Sequence, residues 1–242
     1  MTKRNAPDWL TRHTYAHRGL HSDDVPENSL AAAQAAIAAG FGIECDVQMS
    51  ADGVAMVFHD WELDRLTGQS GAFAARTAEE LCQISLGQTG QRIWTLADLL
   101  ELIDGQVPLL IEVKSQPDFA IEQACAAIAR EIASYTGPLA VMSFDPRMGE
   151  WFAEHAPAHP RGLVTTDVLD LGFLSAWREP QAIERARPDF LACDIRDLPN
   201  AITDLWRGAG RPLLSWTVRS LELRERVRMH ADAPIAEGEG IA

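Results

Sequence analysis

Two acidic side chains stand two positions apart in an apolar run, at Glu44 and Asp46 within the segment Phe41–Val47. If this run is a β-strand, alternate side chains share a face, so both carboxylates point one way and the apolar residues between them point the other. Two carboxylates on one buried face cannot both be ionised unless a cation compensates their charge. The pattern therefore favours a divalent metal site, with a protonated or salt-bridged acid as the alternative.

A second apolar run repeats the arrangement at Leu109–Lys114, where Glu112 and Lys114 share a face. If the two runs are neighbouring strands, Glu112 brings a third carboxylate to Glu44 and Asp46. Three carboxylates together with water suit a hard cation such as Mg²⁺ or Ca²⁺. A structural ion pair between Glu112 and Lys114 is the alternative.

Two histidines end apolar runs in the same half of the chain. His17 follows Tyr15 at the end of the first run and shares its face, and His59 follows the run that ends in Phe58. Imidazoles titrate near neutral pH and can serve as a general base and a general acid. A single histidine in an apolar context is more often a core residue, but two of them beside three carboxylates favour a catalytic pair.

Two cationic side chains adjoin these groups. Arg18 directly follows His17, and Lys114 shares a strand with Glu112. Beside a divalent cation, a guanidinium fork and an ammonium point charge form a clamp for phosphate. Phosphoryl transfer needs charge stabilisation and positioning more than covalent help from the protein. The residues alone therefore indicate a metal-dependent phosphoester hydrolase.

The segments that must position these residues alternate between short β-rich runs and amphipathic runs. The candidate strands are Thr14–His17, Phe41–Val47, Leu109–Lys114, Leu139–Ser143, Arg161–Val164, Phe190–Asp194, Pro212–Val218 and Ala233–Ala236. The candidate helices are Ser29–Ala39, Leu96–Ile103, Phe119–Ser134, Arg147–His155, a weak one near Leu171–Trp177, Ala201–Arg207 and Leu221–His230. Such alternation implies parallel strands with right-handed crossovers. At this length it predicts an α/β fold, a (β/α)8 TIM barrel; a doubly wound open sheet is the alternative.

One stretch, residues 60–95, is too long for a simple loop. It contains large apolar residues along its whole length, namely Trp61, Leu63, Leu66, Phe73, Leu81, Ile84 and Leu86. A connection of this length usually has a function or a structure of its own. We therefore expect a small cap inserted after the second strand region, within a single domain that spans residues 1–242.

Charge and composition limit the partners. The 242 residues include 35 acids and 21 bases, which give a formal net charge of −14 at pH 7. Such a surface repels nucleic acid and anionic membranes at long range, although a bound metal can invert the sign inside a pocket. No apolar run has the length of a membrane span, and the first residues lack the pattern of a signal peptide. We expect a cytoplasmic protein with no nucleic-acid partner and no stable membrane insertion; the oligomeric state is unknown from the sequence.

Five motifs, taken in order, resemble the glycerophosphodiester phosphodiesterase family, most closely its short cytosolic bacterial type. They are His17-Arg18-Gly19, Pro26-Glu27-Asn28-Ser29, Glu44-Cys45-Asp46-Val47, Phe58-His59-Asp60 and Ile111-Glu112-Val113-Lys114. Their order and spacing agree with the family from about Tyr15 to Val218, and the combined pattern is highly specific.

The resemblance implies a fold and a set of roles. The fold is an eight-stranded barrel with a small insertion after the second histidine, where residues 60–95 stand. The implied ligands of Ca²⁺ or Mg²⁺ are Glu44, Asp46 and Glu112, the implied acid–base pair is His17 and His59, and the implied phosphate-binding residues are Arg18 and Lys114. Trp216 resembles an aromatic residue that lines the substrate pocket. The implied reaction converts a small-molecule glycerophosphodiester to sn-glycerol 3-phosphate and an alcohol such as choline or ethanolamine.

The closing segment departs from the family pattern. Many members end in Gly-x-Asp-Gly-x-x-Thr-Asp, whereas this chain has Ala231-Asp232-Ala233-Pro234-Ile235-Ala236-Glu237-Gly238, and Trp94 stands where proline is common. Because Pro234 cannot donate a hydrogen bond to a neighbouring strand, we expect the last strand to be short or irregular.

Three other functions stay open at this level. A lyase of the phospholipase D type would use the same residues and release a cyclic phosphate. A non-catalytic module that binds glycerophosphodiesters would not need two histidines. A metal-dependent aldolase on the same barrel type would not need them either.

Overall fold

The computed structural model describes residues 6–167 and 181–241. Its strands in chain order are β1 (Tyr15–Ala16), β2 (Gly42–Met49), β3 (Ala55–Val57), β4 (Trp94–Thr95), β5 (Leu109–Val113), β6 (Leu139–Ser143), β7 (Arg161–Thr165), β8 (Phe190–Asp194), β9 (Leu213–Val218) and β10 (Ala233–Ala236). All except β3 and β4 are parallel neighbours in one sheet, and β1 pairs with both β2 and β10, which closes it. The predicted (β/α)8 barrel is confirmed.

Helices connect most of these strands. Within the described residues they are α1 (Leu30–Ala39), α2 (Asp64–Thr67), α3 (Ala78–Cys82), α4 (Leu96–Ile103), α5 (Ile121–Ile132), α6 (Pro146–His155), α7 (Ala182–Ala186), α8 (Ala201–Gly208) and α9 (Leu221–His230). The weak helix expected near Leu171–Trp177 lies outside the described residues. Local sequence sets the ends of α1, since Ser29 accepts a hydrogen bond from the backbone N–H of Ala32 and Gly40 takes a left-handed φ of 74°.

Apolar side chains form two layers, one between the strands and the helices and one inside the barrel. Ile43, Cys45 and Val47 of β2 belong to the outer layer. The inner layer includes Tyr15, Leu110, Ala140, Met142, Val164, Phe190, Ala192, Leu214, Ala233 and Ile235. The barrel interior is therefore a packed core, as small parallel barrels require. The acidic residues Glu44 and Asp46 are buried on β2 between the outer-layer positions.

Between β2 and α4 the chain leaves the barrel and forms an appended unit. β3 pairs antiparallel with β2, and β4 pairs antiparallel with β3. The unit has its own apolar cluster, made of Met56, Phe58, Leu63, Phe73, Leu81, Ile84, Leu86 and Ile93. The rings of Phe58 and Phe73 stack with centroids 4.9 Å apart. The apolar cluster begins at Met56, four residues before the segment 60–95 that the sequence predicts to be a cap. It begins there because β3 contributes Met56 to it.

The last strand is short, and its register is irregular. β10 pairs in parallel with β1 and β9, but its register with β9 shifts between Pro234 and Ala236, so that Ala236 lies opposite Val218. A proline lacks the N–H that an uninterrupted ladder would use, and an extra residue on the partner strand accommodates this. The shift sets the positions of the residues that follow β10.

Two further features are the state of the cysteines and the apolar character of the helices. The four cysteines, Cys45, Cys82, Cys125 and Cys193, are free thiols, and all but Cys82 are buried. Among the described residues, no helix combines the length and the apolar character that crossing a membrane requires.

Candidate active site

Three carboxylates from two adjacent strands meet at the carboxyl end of the barrel. The parallel pairing of β2 with β5 sets Asp46 beside Glu112, with Glu44 two positions earlier on β2. One oxygen from each of these three side chains lies within 4.8 Å of the other two. A set of carboxylate oxygens at this spacing can hold a hard divalent cation.

Burial and mutual repulsion make this cluster electrostatically uneven. Burial raises the pKa of Glu44 well above its usual value, and the neighbouring acids Asp46 and Glu112 raise it further. Burial alone would also raise the pKa of Asp46, but Lys114 and Arg18 outweigh it, and the net shift is downward. Asp46 is therefore firmly ionised, whereas ionisation of the neighbouring Glu44 needs a further cation.

The two cations predicted to bind phosphate both contact the carboxylate cluster. Arg18 Nε lies 3.2 Å from Asp46 Oδ2, and Lys114 Nζ lies 3.1 Å from Glu112 Oε1 and 3.5 Å from Asp46 Oδ1. The ion pair considered as an alternative for Glu112 and Lys114 is thus present. It is compatible with a metal site, because each carboxylate has two oxygens and several lone pairs.

Asn28 fixes the orientation of Asp46. Its side-chain amide donates to Asp46 Oδ2 at 3.0 Å, and its amide oxygen accepts from the backbone N–H of Asp46 at 3.2 Å. Asn28 is buried and has a φ of 55°, in the left-handed region that asparagine tolerates better than most residues. The motif Pro26-Glu27-Asn28-Ser29 thus supplies both a cap for α1 and a support for the acidic cluster.

His17 is buried at the edge of the cavity and bonded to an acid from the other end of the chain. Its Nδ1 lies 2.5 Å from Glu237 Oε2. His21 Nε2 reaches the same oxygen at 3.4 Å, and Arg219 Nε lies 2.6 Å from Glu237 Oε1. Burial lowers the pKa of His17, and the hydrogen bond to Glu237 opposes that effect only in part.

His59 has a matching arrangement on the other side of the cavity. Its Nδ1 lies 2.6 Å from Oδ1 of the adjacent Asp60. Arg65 of α2 holds Asp60 through Nε at 2.6 Å and also donates two hydrogen bonds to Glu27. Glu27 in turn accepts from Arg18 at 2.7 Å. A continuous chain of ion pairs therefore links the appended unit to the residues at the carboxylate cluster.

Asp46, Glu112, both histidines and both predicted phosphate-binding residues line one cavity of about 660 Å³. Trp216 also lines it and packs edge-on against Phe144 with ring centroids 5.4 Å apart, while its indole N–H donates to the carbonyl of Ala192. Trp61 from the appended unit also lines this cavity. The cavity thus joins a charged floor to an aromatic rim, a combination suited to a small polar ligand.

The sequence predicts part of the cavity lining and misses three residues that line or support it. Glu237 has no predicted role, although the inward positions Ala233 and Ile235 of β10 continue to it by alternation, which is a usable signal. The link between Asn28 and Asp46 carries no periodic signal. Arg65, which lines the cavity, lies in the stretch predicted to be a cap, and nothing in its sequence neighbourhood indicates Glu27 as a partner.

Comparison with known proteins gives a consistent result. The sequence profile of the glycerophosphoryl diester phosphodiesterase family matches residues 17–234. The chain is 34% identical to YhdW of Bacillus subtilis over 213 residues, which cover 85% of each protein. It is 42% identical over 108 residues to a glycerophosphodiester phosphodiesterase of Caldanaerobacter subterraneus, covering 41% of this chain and 44% of that one.

Solved structures agree in fold. A phosphodiesterase of Oleispira antarctica, determined in complex with its product sn-glycerol-3-phosphate, superposes with a TM-score of 0.81 at 25% identity and covers 93% of this chain and 92% of its own. The glycerophosphodiester phosphodiesterase of Thermotoga maritima gives a TM-score of 0.74 at 25% identity, with 94% and 95% covered. With the family profile matched over nearly the whole chain, this protein belongs to the glycerophosphoryl diester phosphodiesterase family and is a phosphoric diester hydrolase.

Proposed function

We propose that this enzyme hydrolyses glycerophosphodiesters to sn-glycerol 3-phosphate and an alcohol, with His17 and His59 as the acid–base pair. The observation that carries the proposal is that a three-carboxylate cluster and two carboxylate-bonded imidazoles meet at one cavity. The product held by the related enzyme of Oleispira antarctica supports the same product here.

The ligands of the proposed cation, Mg²⁺ or Ca²⁺, are Glu44, Asp46 and Glu112. All three offer carboxylate oxygens, which hard divalent cations prefer. The raised pKa of Glu44, caused first by burial and then by its acidic neighbours, supports the fit, because a cation would favour its ionised form. When bound, such a cation offsets the negative charge of phosphate oxygens.

Arg18 and Lys114 are the proposed phosphate-binding residues. Both line the cavity and are largely buried, with side chains 16% and 13% exposed. Their contacts with the acids leave further N–H donors, since a guanidinium has five and an ammonium three. The guanidinium of Arg18 and the ammonium of Lys114 can therefore hold the two non-bridging phosphate oxygens in one orientation.

The two imidazoles exchange protons through Nε2 in this proposal, because Nδ1 of each is bonded to a carboxylate. One imidazole accepts the proton of the attacking hydroxyl, from water or from the glycerol of the substrate. The other donates a proton to the oxygen of the departing alcohol as its P–O bond breaks. Over the whole reaction one water molecule is consumed and both histidines regain their starting states.

The aromatic rim is proposed to receive the rest of the substrate. Trp216 lines the pocket, and the appended unit, taken as a cap over residues 60–95, contributes Trp61 and Arg65 to the same cavity. A flat indole beside charged groups suits a small polar molecule with a short carbon skeleton.

Two substitutions test the acid–base assignment. His17→Ala and His59→Ala should each lower turnover by about 10²–10⁴-fold, the usual contribution of a general acid or base, and should leave metal binding largely unchanged. Release of glycerol 3-phosphate is measured by a coupled assay over several head groups with Mg²⁺ or Ca²⁺. His155→Ala is the control. His155 is exposed on α6, where its ring bonds the carbonyl of Trp151 and stacks on the indole of the same residue. Near-normal turnover in either site variant would contradict the roles, and activity resistant to EDTA would contradict the cation.

The same assay distinguishes the other candidates. A lyase would leave a persistent cyclic phosphate, which phosphorus NMR detects directly in the product mixture. A binding module would retain affinity for glycerophosphodiesters and hydrolyse none of them.

A further inference from the structure

Glu237 is bonded to His17 from outside the cavity. The 2.5 Å contact between His17 Nδ1 and Glu237 Oε2 joins residues 220 positions apart. His17 is one of the residues that line the cavity, whereas Glu237 lies behind it and is held by His21 and Arg219. The carboxylate therefore contacts the imidazole and is not among the residues that line the cavity.

Backbone pairing fixes this contact. β1 and β10 pair in parallel with Ala16 opposite Ala236, and the N–H of His17 donates to the carbonyl of Ala236 at 2.9 Å. The N–H of Glu237 donates to the carbonyl of Val218 on the other side at 3.0 Å. The peptide unit that joins Ala236 to Glu237 is thus bonded on both sides, and the side chain of Glu237 needs to cover only a short distance to reach Nδ1.

The carboxylate is also held in one orientation. Oε2 accepts from His17 and His21, and Oε1 accepts from Arg219 at 2.6 Å. Burial would raise the pKa of Glu237, but the hydrogen bonds from the two histidines lower it well below its usual range. An ionised acid accepts hydrogen bonds only, so the proton on His17 is kept on Nδ1 and Nε2 is left with its lone pair.

The same three groups, His17, His21 and Glu237, are close enough to suggest a second metal site. The distances argue against it. Two ligand atoms of one tetrahedral Zn²⁺, each about 2.0–2.1 Å from the ion, lie roughly 3.3 Å apart. The 2.5 Å separation of Nδ1 and Oε2 is a charge-assisted hydrogen bond instead.

We infer that Glu237 is a positioning residue that fixes the tautomer and orientation of His17, so that Nε2 faces the reacting phosphodiester. This inference rests on the proposed function of His17 and adds an acid that none of the five motifs contains. His59 has its counterpart in Asp60, but that acid is its neighbour in sequence, whereas Glu237 directly follows the strand that closes the barrel.

Removing the negative charge of Glu237 has a defined consequence for the pKa of His17. The charged groups that influence it are Glu237 after β10, Arg18 beside it and Asp46 on β2, and His21 shares the same carboxylate oxygen. Glu237→Gln deletes a negative charge that stabilises the imidazolium, so the pKa of His17 falls. Whether His17 serves as base or as acid, the limb of the pH–rate profile that it controls moves to lower pH.

The test compares Glu237→Gln, Glu237→Asp and Glu239→Gln. Glu239 is the matched control, since it is an exposed glutamate two positions further along. We expect Glu237→Gln to lower kcat at least about 10-fold, but by no more than the 10²–10⁴-fold that a general acid or base supplies, with KM changed by less than about 3-fold. Glu237→Asp, which keeps the charge, should recover part of the loss, and Glu239→Gln should behave as wild type.

Nitrogen-15 NMR of labelled histidines gives a readout that does not need turnover. In wild type, His17 should carry its proton on Nδ1, and in Glu237→Gln it should show a mixture of tautomers and a lower titration midpoint. If Glu237→Gln keeps the wild-type kcat, or loses kcat with an unmoved pH limb and an unchanged tautomer, the positioning role is wrong. If the wild type has no hydrolase activity but the NMR changes occur, the proposed function fails and the link between Glu237 and His17 stands.

Discussion

Asn28 illustrates how much one side chain outside the proposed ligand set can contribute. It bonds Asp46 twice, once to the carboxylate and once to the backbone, and so fixes the acid relative to its own strand. Removing a group that orients a metal ligand typically lowers metal affinity by about 10–100-fold, because a misdirected carboxylate must be reoriented each time a cation binds. The left-handed φ of 55° further restricts which residues fit at this position.

Asn28→Ala should therefore weaken the proposed metal site while its three proposed ligands remain. We expect the concentration of Mg²⁺ or Ca²⁺ that gives half-maximal activity to rise by about 10–100-fold. Asn200→Ala is the control, because Asn200 caps α8 and its loss costs about 1 kcal/mol of stability without any contact to the acids. A metal titration of activity, repeated by direct calorimetry, measures the change. Equal metal requirements in the two variants would contradict the role of Asn28.

At the scale of elements, the short helix α2 attaches the appended unit to the barrel through one side chain. Arg65 donates to Asp60 and to Glu27, and Glu27 also accepts from Arg18. Burial would raise the pKa of Glu27, but hydrogen bonds and charge from Arg65 and Arg18 lower it. A carboxylate with a depressed pKa in the folded state stabilises that state above its unfolded pKa and loses this effect as the pH falls.

Glu27→Gln should lower the free energy of unfolding at pH 7 by about 1–3 kcal/mol, the usual cost of losing hydrogen bonds to charged groups. The difference from wild type should be complete at neutral pH. It should shrink as the pH falls below about 4.3, the pKa of an unfolded glutamate, because wild-type Glu27 then takes up a proton on unfolding. Urea unfolding at several pH values measures it. A difference that stays constant down to pH 3 would show that the charge of Glu27 is not the cause.

For the whole molecule, closure of the barrel depends on a close approach between two strands. Tyr15 of β1 is fully buried inside the barrel, and its hydroxyl donates to the carbonyl of Leu10 at 3.0 Å. Opposite it stands Gly42 of β2, where a Cβ atom would lie 2.6 Å from Tyr15 Cδ1. The glycine is needed here for space, since a methyl group would push the ring into a filled core.

Gly42→Ala should therefore destabilise the fold by about 1–3 kcal/mol through overpacking at the barrel closure. Gly208→Ala is the matched substitution, because Gly208 ends α8 and a Cβ there would meet nothing within 4 Å. That change should be neutral or stabilising by up to about 1 kcal/mol, as alanine favours a helix. Thermal and urea unfolding of both variants provide the comparison. A Gly42→Ala protein as stable as wild type would mean that the Tyr15 ring has room to move.

Much of the fold and the charged part of the cavity around Asp46 and Glu112 follow from the sequence alone. Alternation along Phe41–Val47 and Leu109–Lys114 assigns the acids to one face and the aliphatic residues to the other, since side chains on a strand must alternate. The repeat of strand and helix at this length favours a closed parallel barrel, and the carboxyl ends of such strands meet at one face. These are local rules, and the residues that obey them could be identified without coordinates.

The residues that hold the site residues in place do so through long-range contacts, which local sequence patterns do not specify. Arg65 reaches Glu27 across 38 positions, and Glu237 reaches His17 across 220. The second contact requires that the barrel close between β1 and β10 and that the register shift near Pro234 bring residue 237 beside residue 17. The sequence by itself indicated which side chains are candidates to bind a cation, a proton or a phosphate, and it placed Asp60 beside His59. Only the tertiary structure decided which carboxylate holds the imidazole of His17, because that choice depends on strand register and ring closure, which are properties of the assembled barrel.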